Sequence, residues 1–259
     1  MTSHSGNGIT GADIRAKLNH PVVDADGHMI ETTFAILDFL KQVAGSEITE
    51  RYAKYMKREN ETRGRRAVWV GNSGPCSIDR ATAMLPKLFY SRLDDAGIDF
   101  GVVYGTHALG VMRIGDDELR PAVFRAMNTM YADMFQGLSD RLTPVALIPM
   151  HKPEEAIAEL EFSVKELGLK AIVMNTMIMR PAPEVVEEAP HLAHFSMVPT
   201  SPAMDVGDSY DPVWAKCVEL GFAVAEHSSG MGMDDRRSMS NYMYNHIGHF
   251  AAAGEVLAK

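Results

Sequence analysis

The sequence predicts an α/β protein in which helices cover a parallel β-sheet. From about Ser91 onward, short apolar segments of strand length alternate with segments of helical spacing. This alternation is typical of parallel strands that are joined by crossover helices. The strand segments are apolar almost throughout, as expected for strands that are covered on both faces.

The size and composition fit one large domain. The chain has 259 residues, of which 46% are apolar and 23% are charged. These values are ordinary for a globular protein and allow a sizeable core. The formal net charge is -9 and no long basic run is present. Both observations argue against nucleic acid as a partner, because phosphate binding needs clustered Lys and Arg.

No stretch of the sequence predicts insertion into a membrane. No run approaches the ~20 apolar residues of a membrane-spanning helix, and the polar segment Met1–Lys17 lacks the apolar centre of a secretion signal. The two cysteines, Cys76 and Cys217, are far apart and do not have the spacing of a metal site. These features predict reduced thiols and a cytoplasmic location.

The N-terminal part of the chain is less regular. Residues 1–20 are rich in Ser, Gly and Asn near the start and are expected to form a mobile lead. A first strand follows within Val22–Glu31. Residues 33–90 have mostly helical spacing, with a short strand expected at Ala67–Val70. This helical insertion is expected either to cover a site as a lid or to elaborate the surface, and its residues do not distinguish the two.

The rest of the chain alternates between strands and helices. Together with the first strand, five main strands are expected. The other four lie at about 100–106, 142–150, 170–175 and 222–227. Helices are expected at about 116–138, 153–168, 212–221 and 241–259. The helices that begin at Pro153 and Pro212 have Pro in the first turn and Gly just past the end. A Pro-rich stretch from Arg180 to about Asp211 is expected to be a loop.

The first strand carries a candidate metal-binding pair. In the segment 24–28, Asp24, Asp26 and His28 occupy alternate positions, and alternate residues of a strand face the same side. A carboxylate oxygen and an imidazole nitrogen both suit Zn, Mn or Fe, and Gly27 leaves room for a close approach. Alternatively, both Asp residues are turn or capping residues and His28 is solvated.

Polar residues also follow the other predicted strands. The residues at or directly after the apolar strand segments are His28, His107, His151, Asn175 and His227. The carboxyl ends of parallel strands lie at one edge of a sheet, and in a barrel that edge carries the active site. A histidine at a strand end is more often a hydrogen-bonded structural residue than a ligand. His227 is expected to converge with the first-strand pair, and this convergence favours metal binding.

Five stretches together identify a family. They are Val23–Glu31, Asp140–Met150, Tyr210–Gly221, Ala225–Ser229 and Ser240–Phe250. In their order and spacing the sequence resembles the amidohydrolase superfamily, in the amidohydrolase-related branch that includes aminocarboxymuconate-semialdehyde decarboxylase and related aromatic-acid decarboxylases. The resemblance runs from about residue 22 to residue 259.

The resemblance implies a (β/α)8 TIM barrel with a divalent metal ion at its mouth, with Zn expected and Mn or Fe as alternatives. Members typically carry His-x-His on the first strand, or Glu-x-His in some decarboxylases, whereas this chain has Asp26-x-His28. His227 matches the histidine that follows the fifth strand. The resemblance therefore implies Asp26, His28 and His227 as metal ligands, with His227 as the metal-associated catalytic residue.

The other histidines are not expected to bind the metal. His107 and His151 are expected to lie at the surface or behind the ligands. His246 and His249 are three residues apart and can share a helix face. Packing or solvent exposure is the expected role of this pair.

The resemblance also implies parts of the barrel that have no counterpart in the sequence. Only about five of the eight strands are found, and neither the acid/base residue after the sixth strand nor the Asp after the eighth can be assigned. Residues 21–259 are therefore expected to form a barrel domain that lacks its C-terminal strands. A fragment, a split gene or a decayed copy would each account for this.

The activity implied by the resemblance is hydrolysis of a small cyclic or aromatic carboxylic acid by a metal-activated water. Non-oxidative decarboxylation of an aromatic or muconate-like acid at the same metal site is the alternative. An inert truncated fragment is the alternative of another class. A small-molecule acid is the expected partner, with neither nucleic acid nor membrane, and a homo-oligomer is plausible in this family.

Overall fold

A computed structural model describes residues 9–63, 77–175, 177–202 and 209–227 of the chain. In these ranges the strands are β1 (Val23–Met29), β2 (Phe100–Gly105), β3 (Leu142–Ile148), β4 (Ala171–Met174), β5 (Ile178–Pro181), β6 (Met197–Thr200) and β7 (Val224–Glu226). Five of them form one sheet in the order β1-β2-β3-β4-β7, and every pairing in it is parallel. The predicted α/β class and the five main strands are confirmed.

Ten α-helices are found in the described ranges. They are α1 (Gly11–Arg15), α2 (Thr33–Arg63), α3 (Ser77–Met84), α4 (Pro86–Ser91), α5 (Leu93–Ala96), α6 (Ala108–Val111), α7 (Leu119–Met134), α8 (Pro153–Glu161), α9 (Pro183–Glu188) and α10 (Asp211–Leu220). A π-helical turn, Phe162–Glu166, continues α8, and a 3-10 helix occupies Pro190–Phe195. None of the described helices is both long and apolar enough to cross a membrane.

The predicted helix boundaries near Pro and Gly agree with the structure. Both α8 and α10 have Pro in the first turn. Gly97, Gly168 and Gly221 follow the ends of helical segments with φ angles of 74°, 68° and 74°. Only glycine adopts such left-handed angles without steric cost, which makes these residues effective helix stops.

Two segments are more regular than predicted. The expected loop from Arg180 to Asp211 is wrong, because β5 and β6 pair as an antiparallel ribbon with α9 and the 3-10 helix between them. Alternating prolines obscured this ribbon in the sequence, since Pro usually excludes strands. Within the expected N-terminal lead, residues 11–15 form α1, whose N-terminus is closed by a capping box of Thr10 and Asp13.

The predicted insertion at 33–90 is helical in the described ranges, where it forms α2, α3 and α4. The short strand expected at Ala67–Val70 and the helix expected at 241–259 lie outside the described residues.

Across the residues that the structure describes, the hydrophobic core has two parts. In the first, α2 and α7 contribute Leu40 and Phe124 to a cluster that includes residues of β1, β2 and β3. In the second, Leu160 of α8 and Val213 of α10 pack with side chains of β3 and β4. Full burial of each such side chain stabilises the fold by about 1.5–3 kcal/mol. The two clusters together cover the strands whose carboxyl ends carry the polar residues.

A buried carboxylate joins the carboxyl ends of β1 and β2. Glu31 is only 2% exposed. Its Oε1 accepts hydrogen bonds from Tyr131 Oη at 2.5 Å and from the backbone N–H of Ala108 at 3.2 Å, and its Oε2 accepts one from the N–H of His107 at 2.8 Å. Burial of a carboxylate is tolerated only when its oxygens are satisfied in this way. Glu31 therefore ties β1 to the loop after β2 and to α7.

Gly105 makes this arrangement possible, and its substitution tests it. A Cβ atom at this position would lie 1.9 Å from Tyr131 Oη and 2.1 Å from Glu31 Oε1. We expect Gly105→Ala to lower the free energy of unfolding by about 1–3 kcal/mol through overpacking. Urea denaturation measures the change. The matched control is Gly110→Ala, because no atom of the described residues lies within 4 Å of a Cβ there. Equal stability of the two variants would contradict this account.

Candidate metal centre

Three side chains from distant parts of the sequence meet at the carboxyl edge of the sheet. Asp26 and His28 belong to β1, and His227 directly follows β7. Each contributes one ligand-type atom, and these atoms all lie within 4.8 Å of one another. The structure thus brings together the three residues that the sequence nominates as metal ligands.

The spacing of the three atoms is that of ligands around one cation. His227 Nε2 lies 3.1 Å from His28 Nε2 and 3.0 Å from Asp26 Oδ1, and the distance from His28 Nε2 to Asp26 Oδ1 is 3.6 Å. Atoms that bind one metal at about 2.0–2.2 Å lie roughly 3.0 Å apart at right angles and roughly 3.4 Å apart in a tetrahedron. One proton on His227 Nε2 cannot point directly at both neighbours, whereas a cation attracts all three lone pairs. The residues therefore fit a divalent metal.

A β-bulge places Asp26 at the site. The parallel register shifts between Asp24 and Gly27, so residues 25 and 26 have no partner in β2. Asp24 Oδ1 accepts a hydrogen bond from the N–H of Asp26 at 3.1 Å, which stabilises the bulge. A Cβ on Gly27 would lie 3.0 Å from Val102 O, so a glycine here lets β1 lie close to β2 beside the bulge. Asp24 thus has the turn-type role that the sequence left open, while Asp26 faces the two histidines.

The orientation of His28 is set by the loop after β2. His28 Nδ1 lies 3.3 Å from Thr106 Oγ1, and donation from Nδ1–H leaves the lone pair on Nε2 free to bind a metal. The N–H of Thr106 donates to Met29 O at 2.9 Å, and the next two N–H groups donate to Glu31. The buried carboxylate therefore holds the loop that orients the imidazole.

Electrostatics favours a neutral His28. Burial lowers the pKa of His28 from its ordinary value, and the charge of the neighbouring His227 lowers it further, although Asp26 and Glu31 act in the opposite direction. The neutral imidazole is the form that binds a metal. The ring of Tyr104 lies 5.0 Å from the ring of His227, centroid to centroid, and supplies an apolar wall beside it.

The other strand-end residues lie outside this group. His107 is exposed, and its backbone N–H is bound by Glu31. His151 and Asn175 are each 7% exposed. Asn175 Nδ2 donates to Met112 O at 3.4 Å. His246 and His249 lie outside the described residues.

Sequence reasoning did not identify Thr106, Tyr104 or the role of Glu31. Thr106 directly precedes His107, so its place after the second strand was a usable signal. Glu31 lies three residues beyond His28, but its partner Tyr131 is 100 residues away in the chain. No local pattern links two such positions.

A cavity of about 420 Å³ lies beside His28. Its walls include Asp24 of β1, Thr82 of α3, Phe89 of α4 and Arg92. Arg92 Nη1 donates to Asp79 Oδ1 at 3.1 Å, which fixes the cation in this wall. A cavity of this size is within the range of small-molecule sites. The helical insertion thus supplies one wall of a cavity next to the candidate metal centre.

Solved structures of known proteins resemble this fold. A 5-carboxyvanillate decarboxylase from Novosphingobium aromaticivorans, complexed with manganese and 4-hydroxy-3-methoxy-5-nitrobenzoic acid, aligns with a TM-score of 0.56 at 15% identity, over 92% of this chain and 59% of that one. A dihydroxybenzoic acid decarboxylase from Polaromonas, with manganese and the inhibitor 2-nitroresorcinol, aligns with a TM-score of 0.51 at 18% identity, over 92% and 58%. An amidohydrolase from Mycobacterium avium subsp. paratuberculosis aligns with a TM-score of 0.50 at 19% identity, over 92% and 63%.

The chain therefore spans about 60% of the length of these structures. At these identities the similarity shows the fold, which is an incomplete TIM barrel of the amidohydrolase type. No curated protein matches the chain in sequence. The family model described as Amidohydrolase matches residues 78–253. Since this match covers more than half of the chain, the protein belongs to the amidohydrolase family.

Proposed function

We propose that Asp26, His28 and His227 bind a divalent metal ion and that this chain carries the metal centre of a decarboxylase of small aromatic acids. The observation that carries the proposal is the mutual spacing of 3.0–3.6 Å between one carboxylate oxygen and two imidazole nitrogens. Two of the similar structures are aromatic-acid decarboxylases that contain manganese. Manganese is accordingly proposed here, in place of the zinc expected from the sequence.

The residues of the chain have distinct proposed roles. Asp26 contributes negative charge to the centre, and the two neutral imidazoles complete a mixed oxygen and nitrogen donor set. Thr106 keeps His28 in the tautomer with a free Nε2. A bound divalent ion would supply Lewis acidity towards a substrate carboxylate or phenolic oxygen. Decarboxylation would replace the bond between the ring and the carboxylate carbon by a bond to a proton, with solvent as the net source of that proton, and the carboxyl group would leave as CO2.

Hydrolysis is the second candidate function. It is supported by the family to which the chain belongs and by the similar amidohydrolase structure. The same donor set would serve it, with a water in place of the aromatic oxygen. The volume of the cavity beside His28, about 420 Å³, favours neither a cyclic ester nor an aromatic acid, so the identity of the product has to distinguish the two reactions.

Metal binding is predicted to depend on all three donors. The wild-type chain should bind about one Mn²⁺, and His28→Ala, His227→Ala and Asp26→Asn should each weaken binding about tenfold or more, because each removes a ligand. Isothermal titration and metal analysis after dialysis measure this. The matched control is His107→Ala, an exposed histidine after the neighbouring strand. A wild-type chain without metal would contradict the proposal and favour an inert remnant.

The orientation of His28 is predicted to depend on Thr106. Thr106→Val keeps the shape of the side chain but removes the acceptor at 3.3 Å from Nδ1. We expect Mn²⁺ affinity to fall about 10-fold, the lower end of the effect seen when such supporting partners are lost. Thr129→Val is the control, because that hydroxyl bonds a helix carbonyl at Arg125. Equal losses in both variants would show a general effect of the substitution rather than a role for Thr106.

The reaction is predicted to release CO2. Incubation of the manganese-loaded chain with hydroxybenzoates should give CO2 and the corresponding phenol, and His227→Ala should abolish this product. Detection of labelled CO2 from a carboxyl-labelled substrate is the measurement. Ring opening of aryl lactones without release of CO2 would contradict decarboxylation and support hydrolysis as the reaction. Absence of both products would contradict an independent activity of this chain.

A further inference from the structure

Two buried nitrogen atoms beside the end of β3 have no hydrogen-bond partner within the part of the chain that the structure describes. They are His151 Nδ1 and Arg180 Nε. His151 is 7% exposed, so its ring is shielded from solvent. Buried polar atoms in proteins nearly always have a partner, and each exception calls for a bound group or water. Neither residue belongs to the candidate metal centre.

The two residues lie together. Arg180, in β5, donates from Nη2 to the backbone oxygen of His151 at 2.5 Å and to Tyr210 Oη at 3.1 Å. Tyr210 Oη in turn donates to Met150 O at 2.6 Å. These bonds hold the guanidinium group against the carboxyl end of β3. Because Nη2 makes both contacts, the buried Nε–H is left for another acceptor.

The surroundings of His151 are positively charged. Burial lowers the pKa of His151 to about 3, and the charges of Arg120, Arg180 and Lys152 act in the same direction, while Asp117 opposes them. Arg120 and Lys152 both pair with Asp117, and a second carboxylate, that of Glu155, also pairs with both. These two carboxylates balance Arg120 and Lys152, so the charge of Arg180 is the one in excess. Among the described residues, no carboxylate forms an ion pair with Arg180. The cluster therefore has an excess of positive charge at the position of the two unpartnered nitrogens.

We propose that Arg180 and His151 form an anion site that binds the carboxylate of a small aromatic acid. The carboxylate accepts hydrogen bonds from Arg180 Nε–H and from His151 Nδ1–H, so both buried donors are satisfied and the charge of Arg180 is balanced. A carboxylate is a strong acceptor for such a charge-assisted bond. A neutral water would satisfy the donors but not the charge.

The position of the anion site relates it to the candidate metal centre. All strands of the sheet are parallel, so the end of β3 lies at the same edge as His28 and His227. One strand separates β3 from β1 and one separates it from β7, which corresponds to roughly 10 Å in each direction. The assignment of the ligand as the substrate rests on the proposed function. The binding of a carboxylate at this site is independent of the proposed function, because it requires no metal.

Benzoate binding to the metal-free chain tests this site. Isothermal titration should show saturable binding of benzoate, and the NMR titration of His151 should move towards a higher pKa when benzoate is bound. Arg180→Gln and His151→Gln should each weaken binding at least tenfold. Arg180→Lys retains the charge but loses Nε–H, so an intermediate loss is expected. The matched control is Arg51→Gln, a half-buried arginine that pairs with Asp116 and Glu118.

Three results would overturn the anion site. The first is the absence of saturable benzoate binding. The second is equal affinity of the wild type and Arg180→Gln for benzoate. The third is that the chain binds inorganic phosphate but does not bind benzoate. The first two correspond to an ordered water at the two nitrogens. Circular dichroism of each variant excludes loss of fold as the cause. Mn²⁺ titration of Arg180→Gln separates this proposal from the proposed function, since the metal affinity of that variant should equal that of the wild type.

Discussion

The candidate metal centre depends on the curvature of the sheet. β1 and β7 are the two edges of a five-stranded sheet, so in a flat sheet their ends would be separated by four strand spacings, or roughly 19 Å. The Nε2 atoms of His28 and His227 are instead 3.1 Å apart. Twist and coiling of the parallel sheet supply this curvature. A change that flattened the sheet would separate the metal donors without altering either histidine.

Buried polar contacts at the same edge fix the orientation of side chains, and metal binding requires a fixed orientation. Hydrophobic packing is non-directional and sets the distance between layers, whereas hydrogen bonds set orientation. Glu31 joins the loop after β2 to the helix that carries Tyr131, and Thr106 in that loop meets the imidazole of His28. The orientation of one proposed ligand thus depends on a carboxylate that does not touch the site.

The carboxyl edge carries one group of side chains that suits a cation and another that suits an anion. The oxygen and nitrogen atoms of Asp26, His28 and His227 are the proposed ligands of a cation, and Arg180 and His151 form the proposed anion site. A small acid presents both a metal-binding oxygen and a negative charge. The two sites together are therefore consistent with the substrate class that is proposed for this protein, and they are separable by experiment because only one of them needs a metal.

From the sequence alone we could predict the α/β class, the five main strands and the helix boundaries at Pro and Gly, and we could nominate Asp26 and His28 as a metal-binding pair. These features depend on local periodicity and on residues a few positions apart. Membership of the barrel family also made His227 a candidate. The folded structure was needed to show that the side chains of Asp26, His28 and His227 meet, that Glu31 holds the loop beside them and that Arg180 lies in a paired strand beside the end of β3. Such contacts join positions far apart in the chain, and no local pattern encodes how a curved sheet brings them together.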